Sequence, residues 1–337
     1  MGWLRRARGA PAAPPEVAGR RILLAHGGAP LETLALAPLA LGLLGAGARS
    51  PVGVLLPEAA LRAWKALDLS VRLHALPGEG PRGEDPEARS PNEDEDQDAA
   101  RIRLRVALRK PGYQLAAGFS DPGRRVEPYL TEAPLRLGPA RGRPTRRRAD
   151  PDAPTWAAMR SATGPLDGDP RLGLRATERG QKRLESAWPE RPRVLFLPAE
   201  GDGPDVDEPA LRAVSRVVDP AGIRLGRRQP GRSAEPPARG FAGLRAIRCG
   251  SPSALAAALA IADVVVGVDS PALALAELSG RPTISWGPVE DDWRRPLGTV
   301  RPPRQSRLSL PPRPPGGIVG RWVGARMVER LDGLVLE

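Results

Sequence analysis

Short apolar runs, each ending in a turn and leading into an apolar helical stretch, recur along this chain and restrict its fold more than any other feature. Ile22-Leu-Leu-Ala runs into His26-Gly-Gly-Ala-Pro-Leu-Glu32 and then a long apolar segment, a strand, glycine turn and helix in succession. Val52 to Leu56 reads as a second strand, Glu58 to Leu67 as a helix and Val71 to Ala75 as a third strand. Near-continuous apolar strands alternating with helices belong in a parallel sheet covered on both faces. Ile102 to Leu108, Tyr113 to Phe119 and Leu135 to Gly138 continue the pattern in the first half.

The second half restarts it. Val194 to Leu197, a short stretch near Ile223, Leu244 to Cys249, Val264 to Val268 and Thr283 to Trp286 are expected strands. Helices are expected over residues 210–218, from Ser253 to Ile261 with Ser251 or Ser253 as the cap, and from Pro271 to Leu278. A last helix, Ile318 to Leu331, carries an apolar face for docking. Two doubly wound α/β halves in tandem are therefore expected, within 337 residues. The division reads as a basic, proline-rich disordered tail over 1–20, an N-terminal domain over 21–153, a C-terminal domain over 154–310 and the C-terminal helix within 311–337. Residues 79–98 hold nine acids and almost nothing apolar, so the stretch 79–100 is expected to be a solvated loop.

Charge and cysteine count narrow the chemistry. Lys+Arg outnumber Asp+Glu 51 to 39, a net charge of +12, yet only Lys65, Lys110 and Lys182 are lysines. An arginine-for-lysine habit beside 41 prolines and 38 glycines is what a coding bias produces whatever the partner. Two tyrosines and three phenylalanines provide no aromatic–basic module, so no nucleic-acid partner is expected. Cys249 is the lone cysteine and His26 and His74 the two histidines, too few for a structural zinc site, iron–sulfur cluster or disulfide. No metal and no cofactor are expected. His26 reads as packed or hydrogen-bonded at a strand end, His74 as structural and Cys249 as a small apolar residue. The longest uncharged run, Thr33 to Ala48, is 16 residues broken by Pro38, short of the ~20 a spanning helix needs. The start lacks a secretory pattern, and a cytoplasmic chain is expected.

Three segments carry a resemblance. Asp269-Ser270, then Gly280-Arg-Pro282, the strand into Gly287-Pro288, and Trp293 with Pro296-Leu-Gly298 resemble the C-terminal signature of the family-nine glycosyltransferases, the heptosyltransferase family. Gly28-Ala29 with Glu32, and Pro38 six residues later, are similar to the family's N-terminal loop, and Phe119 to Arg125 with Leu135 to Gly138 to its middle segment. The resemblance implies a GT-B fold, two Rossmann-like domains facing a cleft. It further implies metal-independent, inverting transfer of a heptose-like sugar from a nucleotide-diphosphate sugar to a glycan or lipopolysaccharide-type acceptor. Glu32 stands where the family has its catalytic carboxylate. Gly28, Asp269, Ser270, Gly287 and Pro288 fall at donor-binding positions, and Glu235 lies where a carboxylate often meets the nucleoside. Arg124 and Arg125 lie on the acceptor side, fitting an anionic or lipid-linked saccharide and peripheral contact with an inner membrane.

Each residue also has a plainer reading. Glu32 suits a first-turn acid, Asp269 or Ser270 a helix cap, and Glu235 a loop. Arg141 to Arg148 read as a linker. The family's histidine and one backbone donor are replaced by Ala274 and Pro271, and its phosphate-binding lysine is missing from Pro198-Ala199-Glu200. A GT-B scaffold that binds or assembles without turnover is therefore the alternative.

Overall fold

The computed structural model describes residues 15–77, 91–119, 126–130, 133–137, 153–163, 172–189, 191–197, 221–224, 245–288 and 305–310. In chain order the elements begin with β1 (Ile22–His26), α1 (Pro30–Thr33), α2 (Leu36–Gly45), β2 (Val52–Pro57), α3 (Leu61–Trp64) and β3 (Val71–Leu76). Next come α4 (Pro91–Arg109), β4 (Leu115–Phe119), α5 (Glu127–Leu130), β5 (Leu135–Leu137), α6 (Ala153–Thr163) and α7 (Glu178–Ala187). The last are β6 (Val194–Leu197), β7 (Ala221–Arg224), β8 (Arg245–Arg248), α8 (Pro252–Ile261), β9 (Val264–Val268), α9 (Pro271–Leu278), β10 (Thr283–Pro288) and β11 (Gln305–Leu310). Contacts divide the chain into two compact units, Met1–Leu61 with Ser70–Asp167, and Arg62–Leu69 with Gly168–Glu337.

The first unit is a parallel five-stranded sheet in the order β3-β2-β1-β4-β5. On one face Leu23, Ala25, Leu55 and Ala116 meet Leu104 and Leu108 of α4, Tyr113, and Tyr129 and Leu130 of α5. On the other, Phe119 packs its ring on Trp156 of α6, centroids 4.5 Å apart, and α6 also meets α2. The uncharged run from Thr33 becomes the buried helix α2, and Pro38 is tolerated because it lies in the first turn, where its missing N–H has no intrahelical acceptor. α6 thus belongs with the first unit, whereas the sequence pattern places residues from 154 onward in the second.

Three further differences from the sequence pattern have local causes. Residues 91–100 are not loop: α4 starts at Pro91, and the acids that look unable to fold occupy its first turns, where the helix dipole favours them. Leu104 and Leu108 on one face suffice to dock it. Residues 15–20 are not a free tail, because Val17 is buried, the Gly19 N–H donates to the Gly47 carbonyl at 2.8 Å and the Arg49 N–H to the Arg20 carbonyl at 2.8 Å. The helix expected to Leu67 ends at Trp64. Its continuation is captured by the second unit, where the Asp68 N–H donates to the Gly173 carbonyl at 2.7 Å and the Arg175 N–H to the Ala66 carbonyl at 2.8 Å.

The second unit holds a parallel six-stranded sheet, β11-β10-β9-β6-β7-β8. The chain runs from β6 outward through β7 and β8, then crosses back to lay β9 on the other side of β6 and continues through β10 to β11. α9 packs against β9 and β10, and α7 against α8. Ser251 caps α8, accepting the Ala254 N–H at 3.2 Å. α6, α7 and β11 have no counterpart in the apolar pattern. α7, for instance, buries none of its residues. The expected helices at 210–218 and 318–331 lie outside the described residues. Among the described residues no helix is long and apolar enough to cross a membrane.

Candidate functional site

In a doubly wound sheet, ligands meet the carboxyl ends of the strands where the strand order reverses. In the first unit that point is the end of β1, between β2 and β4. β1 ends at His26, which is buried, and the Gly28 N–H donates to its Nδ1 at 3.1 Å. A ring accepting there is neutral and carries its proton on Nε2, and burial pushes its pKa down to about 4. His26 therefore shapes the Gly27-Gly28 turn and brings no positive charge to it.

The turn delivers Glu32 into α1. Its side chain is exposed, and its Oε2 accepts the Ala29 N–H at 3.1 Å, satisfying one of the orphan donors at the helix start. That is the plainer reading made concrete. That bond engages one carboxylate oxygen of an exposed side chain, and the other is not used by it and can accept a proton. Gly28 and Glu32 are thus neighbours on one β–α connection.

Behind the turn, the sheet holds a polar pair. His74 Nε2 and the Tyr113 hydroxyl lie 2.8 Å apart, rings edge to face, with both side chains buried. Burial lowers the His74 pKa to about 4, assisted by Arg72, and raises that of Tyr113 to about 12 against a smaller opposing pull from Arg72. Both are neutral near pH 7. The Tyr113 ring lies directly over Gly53 of β2, where a β-carbon would collide with it. His74 is structural; its partner and the glycine beneath that partner are seen only in three dimensions.

In the second unit the strand order reverses between β6 and β9. Gly267 pairs with Leu197 there, and a β-carbon on it would stand 2.5 Å from the Leu197 carbonyl oxygen. Only glycine lets the two strands run side by side to their ends. Directly beyond come Asp269 and Ser270, and α9 begins at Pro271. Ser270 Oγ accepts the Leu273 N–H at 3.3 Å, so Ser270 is the cap of the two. On the next strand Trp286 is in register with Val268, which sets Gly287 and Pro288 at the same edge as Asp269 and Ser270. Four expected donor-side residues therefore gather at one crest beside a helix start, a place suited to an anionic group.

The substitutions in α9 have physical consequences. Pro271 removes one N–H from the first turn, and Ala274 is 1% exposed, a methyl group packed in the interior. Glu277, one turn on, is also 1% exposed, and the Thr283 hydroxyl reaches its Oε1 at 3.5 Å. A lone acid in an otherwise apolar helix is the sequence signal for this buried contact. Cys249 ends the β8 segment, fully buried, its thiol pushed up to about 11 by that burial against a smaller lowering influence of Arg62. It behaves as a small apolar side chain. Glu235, Arg124, Arg125, the Arg141 to Arg148 run, and Pro198 to Glu200 lie outside the described residues.

No family model matches this sequence, and no curated protein sequence does. Solved structures do. The glycosyl transferase family 9 structure from Veillonella parvula DSM 2008 superposes with a TM-score of 0.61 at 10% identity, over 96% of this chain and 99% of that one. The E. coli ADP-heptose LPS heptosyltransferase II gives 0.60 at 17%, over 94% and 98%. E. coli heptosyltransferase WaaC with ADP gives 0.59 at 16%, over 92% and 99%. Nearly whole chains agree at identities that speak for architecture alone: the chain has the GT-B fold of these glycosyltransferases.

Proposed function

We propose that the protein is a glycosyltransferase that moves a heptose-like sugar from a nucleotide-diphosphate sugar to a glycan or lipopolysaccharide-type acceptor, with inversion and without a metal. The observation that carries this reading is the end-to-end fold likeness to three glycosyltransferases, two of them described as heptosyltransferases and one of those solved with ADP. The reading gains support from chemistry-bearing residues lying at the strand-order reversal of each sheet.

In the proposed reaction the acceptor hydroxyl attacks the anomeric carbon as the bond to the nucleotide diphosphate breaks. Glu32 takes the hydroxyl proton. Its bond to the Ala29 amide fixes the carboxylate and so reduces the freedom lost on reaching the transition state. Gly28 lets backbone approach the substrate. Asp269, Ser270, Gly287 and Pro288 face the donor, with the first-turn amides of α9 that remain after Pro271 directed at a phosphate. Glu235 meets the nucleoside, and Arg124 and Arg125 receive an anionic or lipid-linked acceptor from a cytoplasmic position at the inner membrane.

A panel of ADP- and GDP-sugars tests this. Transfer or slow donor hydrolysis is expected, with Glu32→Gln lowering turnover about 10²–10⁴-fold while donor affinity holds, because glutamine still accepts the Ala29 N–H. Unchanged turnover in that variant removes Glu32 as the base. Ala274 and Pro271, in place of an imidazole and a backbone donor, favour a second reading, a GT-B scaffold that binds without turnover. A donor-induced thermal shift with no hydrolysis or transfer selects it.

A further inference from the structure

The α4 helix has two apolar sides. Leu104 and Leu108 anchor it to the sheet, whereas Ile102 and Val106, two residues away and so on the opposite side, are 62% and 60% exposed. They stand out among the described residues as large hydrophobics left in solvent on a helix. Along that outer side Glu95, Ala99, Ile102, Val106 and Arg109 succeed one another at intervals of four, three, four and three residues, all exposed. That is the spacing of a coiled-coil seam.

The seam has an electrical direction. Acids hold its amino-terminal end, Glu95 with Asp98 beside it, and cations its carboxyl-terminal end, Arg105 and Arg109. A copy turned by a twofold axis through Ile102 would set Ile102 on Ile102, Ala99 near Arg105, Val106 near Asp98, and Glu95 opposite Arg109 at both ends. We propose that α4 pairs antiparallel with α4 of a second copy of this chain, forming an isologous dimer. Charge complementarity selects this occupant: like ends repel in a parallel pair, and an anionic bilayer that attracted Arg105 and Arg109 would repel Glu95 and Asp98 on the same face. Two apolar side chains per copy make it a small interface, so the dimer is weak and concentration-dependent.

Sedimentation velocity of the full chain between about 1 and 100 µM tests this. A monomer–dimer equilibrium centred near ~10 µM is expected, abolished by Ile102→Asp. Glu95→Arg and Arg109→Glu are each expected to weaken it about tenfold, and the double variant to recover it, the signature of a direct pair. All three positions are exposed, so Ile102→Asp should unfold thermally like the parent chain, while the two charge changes, which oppose the helix dipole, should lower the unfolding temperature only slightly, and this separates lost pairing from lost folding. A parent chain that stays monomeric, a dimer indifferent to Ile102→Asp, or a charge swap that fails to restore association would overturn the proposal. So would a monomer that floats with phosphatidylglycerol vesicles through Ile102, which would assign the helix to lipid.

Discussion

The two histidines of this chain make a sharp prediction about pH, because both lie in the first unit and both are held neutral by burial. His26 accepts from the Gly28 amide through Nδ1 and His74 is bonded to Tyr113 through Nε2, and each pKa falls from 6.5 to about 4. An unfolded chain returns both to near 6.5. Between those values the unfolded state binds more protons than the folded one, so stability rises with pH across about 4 to 6.5. The contribution is fully present above about pH 6.5 and lost as pH falls toward 4. Near pH 5 each histidine adds close to one proton to unfolding, a slope of about 1.4 kcal/mol per pH unit.

Carboxylates titrate in the same range, so the test is a difference. Urea unfolding of the parent and of His74→Gln from pH 4 to 8 should give slopes differing by about one proton at pH 5. The parent should lose stability faster on acidification. Proton NMR reads the premise directly, since only two histidine rings, each with an Hδ2 and an Hε1 signal, are in the sequence. Both should be flat from pH 8 to about 5. A folded-state signal with a midpoint near 6.5, or equal slopes for parent and variant, would refute the reasoning from burial.

Two other outcomes follow from packing. Gly53→Ala drives a methyl group into the Tyr113 ring and should cost about 1–3 kcal/mol by denaturant unfolding, an effect that Tyr113→Leu relieves in the double variant; a neutral Gly53→Ala would mean the ring moves freely. Ser270→Ala removes the cap of α9 and should cost about 1 kcal/mol, with Ser270→Asp recovering most of it. If Ser270→Ala also weakens donor binding while Ser251→Ala, at the start of α8, does not, Ser270 serves both purposes.

Periodicity carried the strands because period and burial coincide there. β1, β2, β4, β6 and β9 are apolar runs whose hydrogen bonds are met by neighbouring strands, so the pattern is written locally. Glu32 and the Asp269-Ser270 step were legible as well, as turns placed after strands. α4 was not. Its composition argues against a core, and only the sheet surface that accepts Leu104 and Leu108, with acids at the favourable end of a helix, makes it fold. Residues 65–67 continue a helical pattern in sequence yet leave the helix, because the Gly173 carbonyl takes the Asp68 N–H and the Arg175 N–H takes the Ala66 carbonyl.

The sequence by itself determined the alternating α/β grammar, the doubling of that grammar, and the β–α turns that carry Gly28, Glu32, Asp269 and Ser270, since all of these depend on near neighbours in the chain. Tertiary structure alone decided which strands adjoin. With that came the reversal points that make those turns crests of a sheet, the need for glycine at 53 and 267, and the neutrality of His26 and His74. Those properties arise from atoms distant in sequence and close in space, and no local pattern encodes the distance between them.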